Sequence, residues 1–382
     1  MPIGDSPAET EAAAVQGLID AVGAGATPVT AWAPGRCTVV GEHVDYAGGL
    51  VLCIGVDLGV AAAVRYGSTP GFLVTSDGER VSRTEPEPAG DMGDRVLAPV
   101  VALRERGLAI PSLEVGVAAT LPAGVGLASS AALMVAVTTA ILRLTGTSMR
   151  GSEVAEVALI AERDVVGIPC GPLDQRAVVE APDGGALFLD CRTGVASIVA
   201  WPWPDAVLVG CDTGTHHDVG GREYRIRRAE TQRGLAALGQ ESCQELTVDA
   251  IQAAGLDPVV RRRLHHVMHE SARAGDAAEA TRQGDLVGLG RLMSASHASL
   301  HDLYEVSTPI LDAVVAAAEA VPGCAGARLV GAGFGGAAVA LVDRAAADAC
   351  AEAMREASGG GTTFELRPSA GVAVLNPDLI RG

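Results

Sequence analysis

Residues 35–49, GRCTVVGEHVDYAGG, gather Arg36, Glu42, His43 and Asp45 between a β-branched run and a pair of glycines. Carboxylates and an imidazole at this density can exchange hydrogen bonds with several hydroxyl groups at once, which suits a hydroxyl-rich ligand. The competing reading is a surface ion pair with Arg36, which would contribute little. In an extended segment His43 and Asp45 share one face and Glu42 takes the other. Gly41 and the AGG turn let the chain bend, so the three can converge at a strand end.

Three further stretches carry chemistry. LPAGVGLASSAAL (121–133) is a Gly-rich turn opening an apolar helix. Its backbone N–H groups lie at the positive end of the helix dipole, a ready site for phosphate. Ser129 and Ser130 add hydroxyls that can reach an anion or Mg²⁺; the plain alternative is a tight turn with serine caps. CGPLDQ (170–175) places Asp174 in a turn-rich loop stiffened by Pro169 and Pro172, either as a solvated turn residue or as a fixed carboxylate. GAGFGG (331–336) spells the dinucleotide pattern G-x-G-x-x-G, but AAVALV follows it and reads as a strand. The cofactor fingerprint must open a helix, so a NAD-dependent enzyme is a poor reading.

Composition removes other classes. The chain contains no lysine, which excludes the Walker A phosphate loop and any Schiff-base mechanism. Every fixed cation is therefore arginine, the bidentate choice for phosphate. A net charge of −18 argues against nucleic acid as a partner. The densest basic run, RRRLHH (261–266), reads as an exposed helix face. Eight cysteines without a CxxC pair read as small buried hydrophobes in a reducing compartment. His265 and His269 stand one helical turn apart, but no Cys or carboxylate pattern completes a metal site, and a partly exposed helix face is expected. Residues 50–64 come nearest to a membrane span and are broken by Asp57 and two glycines. The opening MPIGDSPAETEAAA is acidic and polar, unlike a secretory or transit peptide, so a cytoplasmic location is expected.

These motifs need elements to hold them. A chain of 382 residues predicts two domains, divided near WPWP (201–204) into residues 1–200 and 201–382. Helical spacing covers 8–22, 95–107 and 152–165, an almost wholly apolar helix after LPAGVGLASS is stopped by Gly146, and strands lie at 29–40, 50–66 and 112–120. Beyond the seam come a strand at 206–212, a run of helices from 221 to 320, strand–Gly loop–strand over 327–342, a helix, and a last strand near 362–368. Strands and helices mix without regular alternation, which favours α+β over a doubly wound sheet.

Taken in order, APGRCTVVGEHVDYAGGLVL, LPAGVGLASSAAL, CGPLDQ, REYRIRRAE, MSASHASLHDLYEVSTPILDAVV and GAGFGGAAVAL resemble the GHMP kinase superfamily, on its galactokinase branch. The resemblance spans about residues 30–345 and implies a two-domain α+β architecture with the active site in the interdomain cleft. The activity it implies is ATP-dependent phosphorylation of the anomeric hydroxyl of galactose or a related aldose. Carried over by position, Glu42, His43 and Asp45 would hold sugar hydroxyls with Gly171 and Tyr224, and Arg36 and Asp174 would flank the anomeric hydroxyl. Gly124, Gly126, Leu127, Ala128, Ser129 and Ser130 would wrap the ATP phosphates, and Ser130 and Glu162 match positions that hold Mg²⁺. In that arrangement Asp174 would act as general base, kept ionised by Arg36. The chain departs from the family pattern at Thr38, Val44, Ala47, Cys53, Ala128 and Pro172, and no aromatic pair stands near 90–98. Those departures keep open an anomeric kinase for another sugar (galacturonate, N-acetylgalactosamine or a larger natural-product sugar such as an octose). A catalytically silent sugar sensor is a further alternative.

Overall fold

A computed structural model describes residues 6–215 and 221–372, so the outer ends of the two expected domains lie outside the described residues. Helix α1 (Pro7–Val22) opens on a reciprocal cap between Ser6 and Glu9. Strands β1 (Val29–Val40) and β2 (Leu50–Tyr66) follow, then β3 (Phe72–Ser76), β4 (Glu79–Arg83), helix α2 (Gly93–Glu105) and β5 (Leu113–Ala119). Helices α3 (Ser129–Thr145), α4 (Gly151–Ile160) and α5 (Leu173–Glu180) lead to β6 (Gly185–Asp190) and β7 (Ala196–Ala200). These seven strands, joined by a short eighth at 368–369, form one eight-stranded sheet. At 17 residues β2 outruns any single partner on its second edge. It pairs with β1 along one side, and with β5 at one end and β6 at the other along the opposite side.

After the WPWP segment the chain builds a second, four-stranded sheet in the order β11-β8-β10-β9. Its members are β8 (Ala206–Asp212), β9 (Cys324–Val330), β10 (Ala337–Asp343) and β11 (Thr362–Leu366). Between β8 and β9 lie α6 (Arg222–Ala237), α7 (Val248–Ala253), α8 (Pro258–Gln283), α9 (Leu286–Ser299) and α10 (Pro309–Glu319), and α11 (Ala347–Ala357) precedes β11. A two-residue strand, β12 (Pro368–Ser369), returns to pair with β2, and α8 packs on β2. The two sheets are therefore held together by covalent crossing and by helix packing. Helix α3 is apolar along nearly its whole length because it lies buried against β1, β2, α2 and α4. Among the described residues no helix is long and apolar enough to cross a membrane.

Several elements depart from the sequence reading. The hairpin β3–β4 was not expected; Asp77 and Gly78 at its tip have φ of 50° and 79°, the left-handed pair of a tight two-residue turn. Helix 152–165 divides into α4 and a π-helical turn over Ala161–Val165 that turns Glu162 inward. RRRLHH is not an exposed face: Arg263, Leu264 and His266 are buried, because this part of α8 packs on α6 and on the turn Leu300–Tyr304. His265 and His269 do remain partly exposed, their rings stacked at 6.0 Å.

Candidate active site

The loops between the two sheets enclose a cleft of about 310 Å³. It is bordered by the end of β1, the turn after it, residues 123–130, the start of α5, the start of α6 and the glycine loop 330–336. Arg36, Glu42, His43, Asp45, Gly124, Gly126, Ala128, Ser129, Ser130, Glu162, Gly171, Asp174 and Tyr224 all line it. Of the residues singled out from the sequence, Leu127 stands apart: its side chain is buried in the core, and its carbonyl receives the Arg36 N–H at 3.0 Å.

The stretch after β1 is not extended. Gly41 and His43 have φ of 115° and 64°, and Asp45–Ala47 form a single 3₁₀ turn, so Glu42, His43 and Asp45 reach the cleft by a folded path instead of by strand alternation. Asp174 likewise sits in the first turn of α5, not in a loop. Gly171 packs directly on the Asp45 carboxylate, which leaves no room for a Cβ.

Arg36 is buried and donates from Nε (2.9 Å) and Nη2 (2.6 Å) to the same oxygen, Asp174 Oδ1. Its Nη1 donates to the Gly126 carbonyl. Burial works against the Arg36 charge, but Asp174 and Glu42 outweigh it and raise its pKa above the ordinary value. Among the described residues Asp174 Oδ2 has no partner, and the side chain is 31% exposed.

In the loop 124–128, Gly124, Gly126 and Ala128 have φ of 76°, 79° and 60°, alternating with residues of ordinary φ. Such alternation turns successive N–H groups to one side and makes an anion-binding concavity. Ala128 caps α3 without a side-chain bond, which leaves the first N–H groups of the helix for a ligand. Gly126 touches the backbone of Val330 and Gly331 where a Cβ would overlap, so the two glycine loops lie against each other. The loop 331–336 runs into β10, a strand, as its sequence context requires.

Beyond the phosphate loop, Ser130 Oγ is buried with no partner in hydrogen-bond geometry, yet it lies close enough to Glu162 to ease that carboxyl's charge. Burial pushes Glu162 up to about 7, with Asp174 adding to the rise, and Gln175 donates to it at 2.5 Å. A lone hydroxyl and a strained carboxylate are hard oxygen donors, the set Mg²⁺ prefers.

At the other end, Gly331 N–H donates to Glu42 Oε1 at 2.7 Å, and burial raises the Glu42 pKa despite Arg328 and Arg36 nearby. Asp45 is pushed up to about 7 by burial and then by the charge on Asp174. His43 uses both ring nitrogens inside the protein: Nδ1 meets Tyr46 Oη at 2.9 Å and Nε2 meets the Ala332 carbonyl at 3.0 Å. Burial, then the neighbouring His266, lowers its pKa to about 3, so the ring is neutral. Three of the chain's four tyrosines, at 46, 224 and 304, crowd around His43 with ring centroids 6.0, 5.8 and 4.7 Å away.

Sequence reasoning missed Tyr46, Arg95, Glu223 and Phe334, which also line the cleft. Tyr46 was open to discovery from scarcity alone, because tyrosines are so few; the others carried no signal without the fold. Thr38, Val44, Ala47 and Cys53, suspected of retuning a ligand site, do not border the cleft and are fully buried behind it. Of the departures from the family pattern, only Ala128 faces the ligand space.

Comparison with known proteins gives three family matches: GHMP kinases N terminal domain over residues 95–181, GHMP kinases C terminal over 277–360, and the galactokinase galactose-binding signature over 21–66. The galactokinase of Homo sapiens is 36% identical over 358 residues, 90% of this chain and 91% of that protein. That of Roseiflexus sp. is 35% identical over 89% of this chain and 91% of its own length. Among solved structures, Lactococcus lactis galactokinase complexed with galactose matches with a TM-score of 0.89 at 27% identity, over 95% of this chain and 99% of that one. Mevalonate kinase of Methanococcus jannaschii matches with a TM-score of 0.65 at 15% identity, over 90% and 99%, a likeness of fold alone.

Proposed function

The chain belongs to the galactokinase family of the GHMP kinases, an ATP-dependent galactose 1-kinase, and from that premise we propose how its cleft divides the work. Galactose lies between Glu42, His43, Asp45, Gly171 and Tyr224, with its anomeric hydroxyl toward Asp174. Asp45 and Glu42 receive sugar hydroxyls, while the neutral His43 ring and Tyr224 form the wall. The triphosphate lies in the concavity 124–130, where the open N-terminus of α3 and Ser129 meet its charge.

The observation that carries this reading is the division of labour at Asp174. Oδ1 is held twice by Arg36, and Oδ2 is left toward the cleft to take the anomeric proton. The anomeric oxygen then attacks the γ-phosphorus, the bond from that phosphorus to the β–γ bridging oxygen breaks, and ADP leaves. Arg36, always charged, balances the negative charge that builds as the hydroxyl loses its proton. Positioning does most of the rest, as in-line phosphoryl transfer requires. Ser130 and Glu162 would hold Mg²⁺, which when bound supplies neutralisation of the phosphate charge.

The two sheets correspond to lobes 1–200 and 201–382, with β12 crossing back. Eight free cysteines fit a reducing cytoplasm, and a net charge of −18 suits small-molecule partners over nucleic acid. Incubation with ATP and a panel of aldoses, followed by ³¹P NMR, is expected to give an anomeric phosphate of galactose. Turnover of galacturonate or N-acetylgalactosamine with none of galactose would overturn the assignment of the sugar.

A further inference from the structure

Behind the sugar wall runs a line of hydroxyls that ends at His43. Tyr46 Oη is 2.9 Å from His43 Nδ1, Tyr304 Oη is 2.7 Å from Tyr46 Oη, and Thr231 Oγ1 is 2.7 Å from Tyr304 Oη. Distances alone do not say which atom donates at each step, but the far end of the imidazole decides it. His43 Nε2 faces the Ala332 carbonyl at 3.0 Å, and a carbonyl can only accept. Nε2 therefore carries the proton. A neutral ring then has a bare Nδ1, which must receive the Tyr46 hydroxyl proton. Tyr46 has one proton, so its oxygen must accept from Tyr304, and Tyr304 in turn from Thr231.

The opposite polarity fails at the same place. If Thr231 turned its proton to the Arg227 carbonyl at 3.1 Å, Tyr304 would donate to Thr231 and Tyr46 to Tyr304. Nδ1 would then face an oxygen with no proton to give, and only a charged imidazolium would satisfy it. Burial of the ring opposes that charge.

Tyr304 is built to stand still. It is fully buried at the end of the π-helical turn Leu300–Tyr304, with Glu305 next in the left-handed region at φ 54°. Arg227 Nε donates to its carbonyl at 2.7 Å, and Arg263 Nη1 donates to the Leu303 carbonyl at 2.6 Å. Its ring lies between two imidazoles, His43 at 4.7 Å and His266 at 4.4 Å. His266 repeats the same logic: Nε2 faces the Glu42 carbonyl at 3.2 Å and Nδ1 faces Ser299 Oγ at 2.8 Å.

We infer that Tyr304 is a positioning residue for the sugar pocket: relaying from Thr231, its hydroxyl aims the Tyr46 proton at Nδ1 of His43, the ring whose Nε2–H is held against the glycine loop at Ala332. The inference rests on the placement of galactose beside His43 proposed above. Its consequence is a join between sheets, because Ala332 follows the Gly331 N–H that holds Glu42, and Gly331 packs on the phosphate loop at Gly126.

The test is a Tyr304→Phe variant, which keeps the buried ring and removes only the relay. Long-range ¹H–¹⁵N correlation spectra read the His43 tautomer directly, with the resonance assigned by its loss in His43→Gln. The wild-type ring is expected as the Nε2–H tautomer and not to titrate between pH 6 and 8. In Tyr304→Phe the Ala332 carbonyl still keeps the proton on Nε2, but the unanchored Tyr46 hydroxyl should bond Nδ1 more weakly, moving the Nδ1 ¹⁵N shift toward that of an unbonded nitrogen, and the KM for galactose should rise about tenfold. The KM for ATP should stay within about twofold. Thr231→Val, which leaves Tyr304 able to turn toward the Arg227 carbonyl 3.4 Å away, should shift both readouts the same way by less. A wild-type His43 found as the Nδ1–H tautomer overturns the inference. So does a Tyr304→Phe protein whose Nδ1 ¹⁵N shift, or whose galactose KM, is unchanged. The tautomer is measured without sugar or nucleotide, so failure of the kinase reading would appear separately, as a wild-type protein that does not phosphorylate galactose.

Discussion

Arg36 and Arg328 each face a carboxylate of the cleft, but Arg36 reaches Asp174 at 2.6 Å while Arg328 stops 3.5 Å short of Glu42. Arg36 spends two of its donors on one oxygen of a carboxylate that remains 31% exposed. Arg328 is fully buried and gives Nη1 to the carbonyls of Thr38 (3.0 Å) and Val39 (3.1 Å), while its Nε and Nη2 have no hydrogen-bond partner. The first pair leaves a carboxylate oxygen free to react. The second ties β9 of one sheet to β1 of the other and keeps a positive charge behind Glu42. A salt bridge beside a reacting group and one behind a binding group therefore have different jobs, and single substitutions should separate them.

The largest effect is expected at Asp174. Asp174→Asn keeps the shape but cannot take a proton, and kcat should fall about 10³-fold or more while ATP binding, read by equilibrium titration, survives. A variant retaining a tenth of wild-type kcat would remove Asp174 as the base. Arg328→Leu should act on stability instead. Breaking a buried pair leaves Glu42 without its cation, and unfolding free energy should drop by about 3 kcal/mol in urea titrations. Adding Glu42→Gln should return part of that loss, because the charge left unpaired is gone. Wild-type stability in Arg328→Leu would mean that Arg328 does not compensate Glu42.

That contrast also marks how far the sequence could be read. Arg36, Glu42 and Asp45 announced themselves because charged residues beside glycines and a β-branched run are conspicuous, whereas Asp174 in CGPLDQ was a weak signal until the family resemblance gave it a role. The mixed architecture followed from hydrophobic period, and the strand after GAGFGG from the run of small apolar residues. Arg328 gave no sign, lying in an ordinary strand pattern, GARLV, and gaining its role only when β9 meets β1 behind the cleft. Tyr304 and Thr231 were hidden for the same reason, 73 residues apart in sequence and 2.7 Å apart in space. The bend was read from Gly41, but the left-handed backbone at His43 escaped, because a non-glycine residue gives no local signal for it. The hairpin turn Asp77–Gly78 is the one miss with a clear local signal, an Asp-Gly pair between short alternating runs.

The smallest effect concerns pH and belongs to the two strained carboxylates. Asp45 and Glu162 are both raised to about 7 in the folded protein, Asp45 by burial and Asp174, Glu162 by burial first. A carboxyl raised on folding binds more protons in the folded than in the unfolded state between its two pKa values. Its burial therefore costs little at pH 4, and increasingly more as pH climbs toward 7, after which the penalty is constant. Asp45→Asn removes that penalty. Its melting temperature should match wild type near pH 4 and exceed it by about 2 °C at pH 8, with galactose KM raised at both. An Asp45→Asn protein no more stable than wild type at pH 8 would mean that the Asp45 carboxylate is comfortable in the empty cleft. The site would then hold its charge without the strain that a bound sugar relieves.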